Sequence, residues 1–349
     1  MPDDRIEPFR VGVTREVRSP DGGFVFAPFD LGALDVPGIT WEFLAEEARP
    51  LTPSLIAPYD GLYHFNAPVT RESLDGVERL TVLARHGVGL DFVDVPACTE
   101  YGVAVTITSA GITRPMASAA ALLVLALAHR LRERDDALHR GDWDDGRFLP
   151  QGTGLRGRVL GVIGYGRIGR EVARLLTPWE LRVVVTQRTP VHEDGVAYVY
   201  LETLLAHADV VVVACPLTEE TRGLLDTHRL ALMKPTAFLV NVARGAIVDQ
   251  AALVDALRDG RLAGAGLDVV DPEPLPAGDA LLALPNVVGA PHSLGYTDEL
   301  LRGCVGGACA ALLACAAGEV PPDIANPEVL DNPLFVAKLA RHIAQGGHR

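Results

Sequence analysis

Three segments of the chain place a polar side chain with useful chemistry directly after a short apolar run. They contain Arg244 (NVARG), Glu273 (GLDVVDPEP) and His292 (NVVGAPH). An arginine can bind a carboxylate through two parallel hydrogen bonds, and a histidine can exchange a proton near neutral pH. A glutamate beside the histidine would orient its ring and stabilise its protonated form. Together these groups are suited to proton transfer on a small anionic substrate.

Each of these residues also has a purely structural interpretation. Arg244 is compatible with a surface position at a helix start, Glu273 with a proline-rich loop, and His292 with a helix cap or a satisfied core histidine. Their joint occurrence after apolar runs favours a site, because the carboxyl ends of parallel strands carry the ligand in open sheets.

A glycine-rich turn points to a dinucleotide. The motif Gly164-x-Gly166-x-x-Gly169 lies between an apolar run, Val159–Ile163, and a helical pattern, Arg170–Leu176. The first glycine allows a tight turn, the second lets the backbone approach a pyrophosphate, and the third lets helix and strand pack closely. The helix N-terminus offers free N–H groups to phosphates. The alternative interpretation is a tight turn without a ligand.

The elements around this turn are those of a parallel sheet covered on both faces. Further strands are predicted at Leu181–Thr186, Val210–Ala214 and Ala237–Val242, and helices at Leu201–His207, Thr227–Met233 and Ala251–Asp259. Behind such a fold, the arginine, glutamate and histidine suit hydride and proton transfer to a 2-oxo acid, with a nicotinamide supplying the hydride.

The late position of the turn predicts two domains. The 349 residues exceed one compact dinucleotide domain, and earlier strand-like runs occur at Arg10–Thr14, Leu80–Arg85 and Val103–Thr106. We expect an α/β protein with two Rossmann-like or flavodoxin-like domains. The dinucleotide-binding domain, residues 117–297, would be inserted into a substrate domain formed by residues 1–116 and 298–349, with the ligand cleft between them.

Two helices would connect these domains. Thr113-Arg114-Pro115 reads as a helix start with Thr113 as N-cap, leading into the apolar stretch Met116–Ala128. A second helix is predicted for Thr297–Ala317, capped by Thr297 and stopped by Gly318. The remaining tail is too short to fold alone and should return to the first domain.

The composition of the chain limits the kinds of partner that it is expected to bind. The net charge of −14 argues against nucleic acid and anionic membranes, and the stretch Met116–Ala128 is shorter than a membrane span. The five cysteines fit no zinc spacing and are typical of a reduced cytoplasmic protein, with no metal expected. The N-terminus shows no signal pattern. The segment Ala119–Phe148, an apolar helix followed by a charged run and Trp143, predicts an arm that covers a partner in a homodimer.

The chain resembles the D-isomer-specific 2-hydroxyacid dehydrogenases, a family that includes phosphoglycerate dehydrogenases, glyoxylate/hydroxypyruvate reductases and formate dehydrogenases. The resemblance rests on LTVLARHGVGLDFVDV from Leu80, the glycine-rich turn, PLT to Arg222, LMKP from Leu232, Asn241–Asp249, Gly264–Pro274, Pro291-His292 and Ala325-Asn326-Pro327, in the family's order.

This resemblance implies specific roles. Arg244 would orient the substrate, His292 would act as acid and base with Glu273 as its partner, and backbone N–H groups of the loop His86-Gly87-Val88-Gly89 would hold the substrate carboxylate. The residues implied to contact the cofactor are Gly164, Tyr165, Gly166, Arg167, Ile168, Gly169, Gln187, Arg188, Cys215, Pro216, Thr221, Val242, Ala243, Asp268 and Gly295.

One departure from the family bears on the cofactor. The resemblance puts Gln187 where NAD-specific members have an aspartate that binds the ribose 2′-hydroxyl and repels a 2′-phosphate. Arg188 follows, and its guanidinium can pair with a 2′-phosphate, to which Thr189 adds a hydroxyl donor. We therefore expect NADP or NAD as cofactor, with NADP(H) preferred. The alternative is that Arg188 faces solvent or the adenine and NAD(H) suffices.

Other departures bear on the substrate. Phe92, Ile107 and Ile112 stand where the family usually has asparagine, with Phe92 expected to pack under its loop. His292 is followed by Ser293-Leu294-Gly295 instead of the usual Ile-Gly-Gly or Ile-Gly-Ala, which moves bulk towards the nicotinamide. The identity of the substrate therefore does not transfer from well-known members.

Two alternatives to a reductase of a small 2-oxo acid stay open at this point. One is a family dehydrogenase acting on another anion, such as formate, phosphite or a phosphonate analogue, which Arg85 and Arg114 would favour if they faced the cleft. The other is a non-catalytic, nucleotide-dependent binding protein of the corepressor type. Intact Arg244, Glu273 and His292 argue against that second class.

Overall fold

The computed structural model describes residues 7–26, 29–190 and 192–346, which divide into two compact units. The first unit comprises residues 1–112 and 297–349, and the second comprises residues 113–296. Each unit contains one sheet in which all described strand pairs are parallel.

The first sheet has five strands in the spatial order β2-β1-β3-β4-β5, a doubly wound order with its reversal beside β1. These strands are β1 (Phe9–Val13), β2 (Ile39–Phe43), β3 (Gly61–His64), β4 (Val82–Arg85) and β5 (Ala104–Thr106). Each of the three strand-like runs predicted for this unit coincides with an observed strand, although the predicted and observed end residues differ.

The second sheet has seven strands in the order β12-β11-β10-β9-β6-β7-β8, which is the Rossmann order extended by one strand. These strands are β6 (Val159–Ile163), β7 (Arg182–Thr186), β8 (Val196–Tyr198), β9 (Val210–Val213), β10 (Phe238–Asn241), β11 (Gly264–Leu267) and β12 (Val287–Gly289). The strand order changes direction between the neighbouring strands β6 and β9: β7 and β8 lie on one side of this pair, and β10 to β12 lie on the other. Within the pair, Leu160 is opposite Val210. Ligands of such sheets bind at that reversal.

Helices connect the strands in both units. They are α1 (Pro53–Ile56), α2 (Val95–Glu100), α3 (Ser109–Ala128), α4 (Leu131–His139), α5 (Trp143–Arg147), α6 (Arg167–Leu176), α7 (Leu201–His207), α8 (Thr227–Leu230), α9 (Gln250–Arg258), α10 (Asp298–Ala316) and α11 (Pro333–Gly346).

Both faces of the second sheet are buried, as its apolar strands require. In β9, Val211 and Val213 belong to one hydrophobic cluster, whereas Val210 and Val212 belong to the cluster on the opposite face. This alternation follows from the two-residue period of a strand. The first unit is built likewise, with two hydrophobic clusters on its sheet.

The start of α3 differs from the sequence-based prediction. The helix begins at Ser109, so Thr113 lies inside it instead of capping it. Pro115 is in the second turn, where it cannot donate to the carbonyl of Gly111 and its ring crowds that carbonyl. The prediction for α10 is confirmed, because the Oγ1 of Thr297 accepts a hydrogen bond from the amide of Leu300 at 3.2 Å.

The C-terminal tail groups with the first unit. The Nζ of Lys338 on α11 donates to the carbonyls of Leu80 (2.8 Å) and Tyr101 (2.7 Å). Helices α3 and α10 have the length and apolar composition of a membrane span, but half of the apolar window of each is buried inside the protein. Core helices of folded domains have the same properties. All five cysteines are free thiols.

Candidate active site

The glycine-rich turn follows β6 at the reversal point of the second sheet. Gly164 has a φ of +93°, and a Cβ there would lie 2.5 Å from the backbone nitrogen of Cys215. A Cβ on Gly169 would clash with the carbonyl oxygen of Gly164, whereas one on Gly166 would meet no atom within 4 Å. The turn is thus tight on its protein side and open at Gly166, as a phosphate cradle requires.

The predicted strand Val159–Ile163 is confirmed, and helix α6 begins earlier than expected, at Arg167. The ring of Tyr165 is buried, and its hydroxyl donates to Glu193 at 3.3 Å. The guanidinium of Arg170 lies 4.6 Å from the centre of that ring. Because the Tyr165 side chain packs inside the unit, its backbone is the part that remains for a cofactor. Arg167 is exposed and Ile168 is half-buried.

The end of β7 carries the residues expected to meet the ribose. The Nε2 of Gln187 donates to the carbonyl of Thr189 at 2.8 Å, and Arg188 is exposed. The pKa of Glu220 is lowered, first by a hydrogen bond from Thr218 and also by the charge of Arg188. Arg188 therefore lies within electrostatic range of the loop that follows β9.

That loop contains three of the predicted cofactor contacts. The Oγ1 of Thr221 donates to the carbonyl of Pro216 at 2.8 Å and accepts from the amide of Thr218 at 2.7 Å. Cys215 is half-buried beside Gly164, and burial raises the pKa of its thiol to about 11. The thiol is therefore protonated at neutral pH and acts as a small apolar group.

The turn that carries Arg244 is fixed by Asn241, a residue to which sequence reasoning assigned no role. The Asn241 side chain is buried; its Nδ2 donates to the carbonyl of Arg244 at 2.9 Å, and its Oδ1 accepts from the amide of Ala243 at 3.0 Å. Arg244 is half-buried, and its Nη1 donates to the carbonyl of Ala243 at 2.8 Å. Val242 is buried at the start of this turn.

Glu273 and His292 are brought together as the sequence predicted. The Nδ1 of His292 lies 2.9 Å from Oε2 of Glu273, and Oε1 of Glu273 accepts from the amide of Val270 at 3.2 Å. Burial alone would raise the pKa of Glu273. The hydrogen bond and charge of His292, the Val270 amide and the charge of Arg244 together lower that pKa below its ordinary value. The glutamate is therefore ionised at neutral pH, and Nδ1 carries the hydrogen of this bond.

Asp268 shapes the turn on which His292 sits. Its carbonyl accepts from the amide of His292 at 2.7 Å, and its Oδ1 accepts from the amides of Ser293 (2.9 Å) and Leu294 (3.0 Å). These bonds hold His292 at a φ of +54°, a conformation that few residues other than glycine and asparagine adopt readily. Gly295, next along the turn, is buried.

The second carboxylate oxygen of Asp268 has no hydrogen-bond partner among the residues that the structure describes. Asp268 is 1% exposed, and its Oδ2 is buried without a hydrogen bond in the described part of the chain. A buried carboxylate oxygen requires a donor. The amide group of a nicotinamide is such a donor, so this atom and the open glycine turn both fit a dinucleotide.

In the first unit, the loop His86–Gly89 follows β4. The amide of His86 donates to the carbonyl of His64 and that of Gly87 to the Oγ1 of Thr108, both at 2.8 Å. The expectation that backbone N–H groups of this loop hold the substrate carboxylate is therefore narrowed to two of its four amides. His86 extends the β4–β3 ladder and Gly87 is bonded to the protein, which leaves the amides of Val88 and Gly89.

Arg85 and Arg114 do not support a doubly charged substrate. Arg85 is 3% exposed; its Nε donates to the carbonyl of Gly89 and its Nη2 to Asn66 at 3.3 Å. Its Nη1 lies 3.4 Å from the Nδ1 of His64. Arg114 pairs with Glu171 at 3.0 Å.

Phe92 packs against the same arginine, with its ring centre 5.9 Å from the Arg85 guanidinium carbon, in agreement with the expected packing role. No cluster of three or more histidine, cysteine, aspartate or glutamate residues placed to hold a metal ion occurs among residues 7–26, 29–190 and 192–346.

The Rossmann-type sheet, its open glycine turn and the paired histidine and glutamate define a nicotinamide-dependent oxidoreductase. A family model described as the NAD-binding domain of D-isomer specific 2-hydroxyacid dehydrogenases matches residues 121–293. A glyoxylate reductase from Thermococcus litoralis is 38% identical over 271 residues, which are 75% of this chain and 82% of that relative.

Solved structures agree. The TT0316 protein of Thermus thermophilus superposes with a TM-score of 0.80 at 38% identity, covering 90% of this chain and 99% of that one. An NADPH-dependent glyoxylate/hydroxypyruvate reductase from Sinorhizobium meliloti, in complex with NADP and malonate, gives 0.79 at 28% identity, with 93% and 98% covered.

The chain belongs to the D-isomer-specific 2-hydroxyacid dehydrogenase family. It is an NAD(P)-dependent enzyme that interconverts 2-oxo acids and 2-hydroxy acids, and its substrate is a small anion.

Proposed function

We propose that this enzyme reduces a small 2-oxo acid to the D-2-hydroxy acid, with His292 as the proton donor. The observation that supports this most is the contact between Nδ1 of His292 and Oε2 of Glu273 at 2.9 Å. An ionised glutamate on Nδ1 leaves Nε2 as the atom that gives up or takes a proton, and stabilises the imidazolium in which Nε2 is protonated.

The other residues bind and orient the substrate in this proposal. Arg244 binds the substrate through its guanidinium, because a planar cation can hold two oxygens of a carboxylate or of a polarised carbonyl. The amides of Val88 and Gly89 bind the carboxylate, since they donate no hydrogen bond to another described residue. The proton from Nε2 of His292 goes to the carbonyl oxygen as hydride reaches the carbon. His292 is restored from solvent after the alcohol leaves.

The cofactor supplies the hydride when bound. The residues that would hold it are the open turn at Gly166, the buried Oδ2 of Asp268 and the exposed Arg188. We propose that NADP(H) is preferred, because Gln187 presents no carboxylate to repel a 2′-phosphate and Arg188 follows it.

A substrate panel with two histidine variants tests the proton donor. We expect wild-type enzyme to oxidise NADPH with several 2-oxo acids and to release the D-isomer, as read by chiral chromatography. His292→Ala should lower kcat by about 10²-fold or more, because the proton donor is lost. Cofactor titration by fluorescence should show that this variant still binds the dinucleotide.

The matched control is His207→Ala. His207 is an exposed histidine of the same unit whose Nδ1 contacts the carbonyl of Thr203 at 2.8 Å, so its loss should leave kcat unchanged. Wild-type turnover by the His292 variant on the best substrate would overturn the assigned role.

We also propose a homodimer in the cytoplasm. The segment around α4 and α5 exposes four large apolar side chains: Leu131 (52%), Leu138 (56%), Trp143 (66%) and Phe148 (81%). Exposed apolar side chains grouped in this way are typical of interfaces. Arg134 ties the segment together by donating to the carbonyls of Gly146 and Pro150. Five free thiols are typical of a reducing compartment.

A further inference from the structure

Glu273 lies in an exposed loop, residues 271–279, between β11 and β12. The sequence of this loop is DPEPLPAGD, and only Leu275 and Asp279 in it are partly buried. Its three prolines have no N–H group with which to bond to the rest of the protein. The position of the Glu273 carboxylate therefore depends on a small number of contacts that hold the loop in place.

One side chain outside the loop contacts both of its ends. Oε1 of Gln250 accepts a hydrogen bond from the amide of Asp271 at 3.0 Å, and Nε2 of Gln250 donates to Oδ2 of Asp279 at 3.4 Å. A backbone amide needs an acceptor and a carboxylate oxygen needs a donor, so the two ends together suit the oxygen and the nitrogen of one side-chain amide. Gln250 thus closes the loop across its ends.

Gln250 stands on a well-fixed element. It is the half-buried first residue of α9, and the N-cap residue Asp249 accepts from the amide of Ala252 at 3.0 Å through its Oδ1. The amide of Asp249 donates to the carbonyl of Leu225 at 3.0 Å. Because the start of this helix is bonded on both sides, it is a rigid support for the loop that Gln250 holds.

The same support carries Arg244, whose turn leads into α9. A Cβ on Gly245 would clash with the carbonyl oxygen of Val270, so the Arg244 turn is in direct backbone contact with the residue that precedes the loop. The amide of Val270 in turn donates to Oε1 of Glu273 at 3.2 Å. The elements that carry the arginine and the glutamate are therefore fixed to each other.

We propose that Gln250 is a positioning residue for catalysis, because by holding both ends of the loop 271–279 it keeps the Glu273 carboxylate on Nδ1 of His292. The inference rests on the proposed function, in which His292 donates the proton. Gln250 acts only through Glu273 in this proposal. A small displacement of a group that orients a catalytic side chain lowers the rate of the chemical step more than it weakens substrate binding.

The first test removes both contacts of Gln250 in the full-length enzyme. Gln250→Leu should lower kcat about 3- to 5-fold and change KM for the 2-oxo acid and for NADPH by less than about 2-fold. Leu275 still packs against the hydrophobic cluster of the second unit, so the loss should be smaller than that expected for Glu273→Gln. Steady-state kinetics measure all three constants.

A double-mutant cycle separates positioning of Glu273 from a general loss of stability. In the background of Glu273→Gln, the further change Gln250→Leu should lower kcat by less than about 1.5-fold, because the carboxylate through which Gln250 acts is already absent. A residue that only stabilised the fold would lower kcat by the same factor in both backgrounds.

A reversed pair provides a rescue. Gln250→Glu keeps an acceptor for the amide of Asp271 but places a second carboxylate against Asp279, so kcat should fall. Adding Asp279→Asn supplies a donor from the opposite side and should restore most of the wild-type kcat. The asparagine oxygen can still accept from the amide of Leu281, as Oδ1 of Asp279 does at 2.8 Å.

The matched control is Gln151→Leu, at an exposed glutamine of the same unit, which should leave kcat unchanged. Thermal melting reports whether each variant folds. If Gln250→Leu does not fold, the reversed pair decides, since it keeps the polar contacts at both ends of the loop.

Three results would overturn the inference. They are a wild-type kcat in folded Gln250→Leu, an equal fall of kcat with and without the Glu273 carboxylate, and a reversed pair that folds but does not recover kcat over Gln250→Glu alone. Failure of His292→Ala to lower kcat would instead defeat the proposed function. That failure is read from a different variant, so the two are distinguishable.

Discussion

The carboxylate of Glu273 lies 2.9 Å from Nδ1 of His292 and is kept ionised by the charges around it. Both side chains are partly exposed, by 38% and 42%. Solvent therefore screens the pair, and its main effect is on the position of the imidazole.

Glu273→Gln should lower kcat about 10-fold and change the pH dependence of kcat/KM, because a neutral amide replaces the carboxylate that holds the His292 ring. Steady-state rates from pH 5 to 10 give the profile. The substrate KM should change little. A variant with the wild-type profile would show that the carboxylate is not needed for proton transfer.

The contact between Glu273 and His292 should make the stability of the folded protein depend on pH in the acid range. The pKa of Glu273 in the folded protein is below its ordinary value of 4.5, so its contribution is present above pH 4.5 and is lost as the pH falls through the lowered pKa. The difference in melting temperature between wild type and Glu273→Gln should therefore shrink as the pH is lowered into that range. A difference that grew on acidification would contradict the assignment.

Two substitutions of Asp268 test the roles of its two carboxylate oxygens separately. Asp268→Asn keeps an oxygen for the amides of Ser293 and Leu294 but replaces the other oxygen by a donor, so it should weaken cofactor binding with little loss of stability. Asp268→Ala removes both and should cost about 2–3 kcal/mol of unfolding free energy. Chemical denaturation and cofactor titration measure the two effects. Equal behaviour of the variants would show that Oδ2 has no role.

Arg85 should act on substrate binding through the loop that it anchors. Arg85→Met removes the donation to the Gly89 carbonyl and should raise KM for the 2-oxo acid about 10-fold or more, with a smaller change in kcat. Arg114→Met, which breaks an exposed pair with Glu171, serves as the control and should alter neither constant. Parallel loss in both variants would restore the hypothesis of a doubly charged substrate.

We expect the residues at the end of β7 to decide the preference for NADPH or NADH. Arg188→Ala should lower kcat/KM for NADPH about 10-fold and leave that for NADH unchanged, because only NADPH has the 2′-phosphate. Gln187→Asp should also shift the preference towards NADH. Arg182→Ala, an exposed position at the other end of β7, is the control. A wild-type preference for NADH that Arg188→Ala does not change would refute the prediction.

The oligomeric state is open to direct measurement. Light scattering at micromolar concentration should give the mass of a dimer, and replacing Trp143 and Phe148 by serine should shift it towards the monomer, because both rings are largely exposed. The exposed Trp179, at 41% and outside this segment, is the control for loss of a surface tryptophan. A monomeric wild-type mass would remove the homodimer from the proposal.

Much of the dinucleotide domain was predictable because its signals are local. The run Val159–Ile163, the three glycines and the β-branched run of β9 specify strand, turn and strand by their own residue types. The meeting of Glu273 with His292 was predictable in outline, because both residues follow apolar runs whose carboxyl ends share one edge of a parallel sheet. The family resemblance then assigned their separate roles.

What the sequence did not reveal depends on hydrogen bonds between segments. The amides of His86 and Gly87 are used by His64 and Thr108, which no pattern within HGVG discloses. Asn241 holds the Arg244 turn from the end of the preceding strand. The signal that could have found it is an asparagine ending an otherwise apolar strand, since a buried amide there must bond to the following turn.

The left-handed backbone at His292 bears on substitution at this position. The bonds from Asp268 hold the turn, and a φ of +54° is adopted more readily by asparagine or glycine than by histidine. Folding thus gives no advantage to histidine at this position, which is consistent with the chemical role proposed for its side chain. A single substitution there is therefore expected to remove the proposed proton donor from a molecule that still folds and still binds its dinucleotide. Such a variant would respond to the nicotinamide cofactor without consuming it.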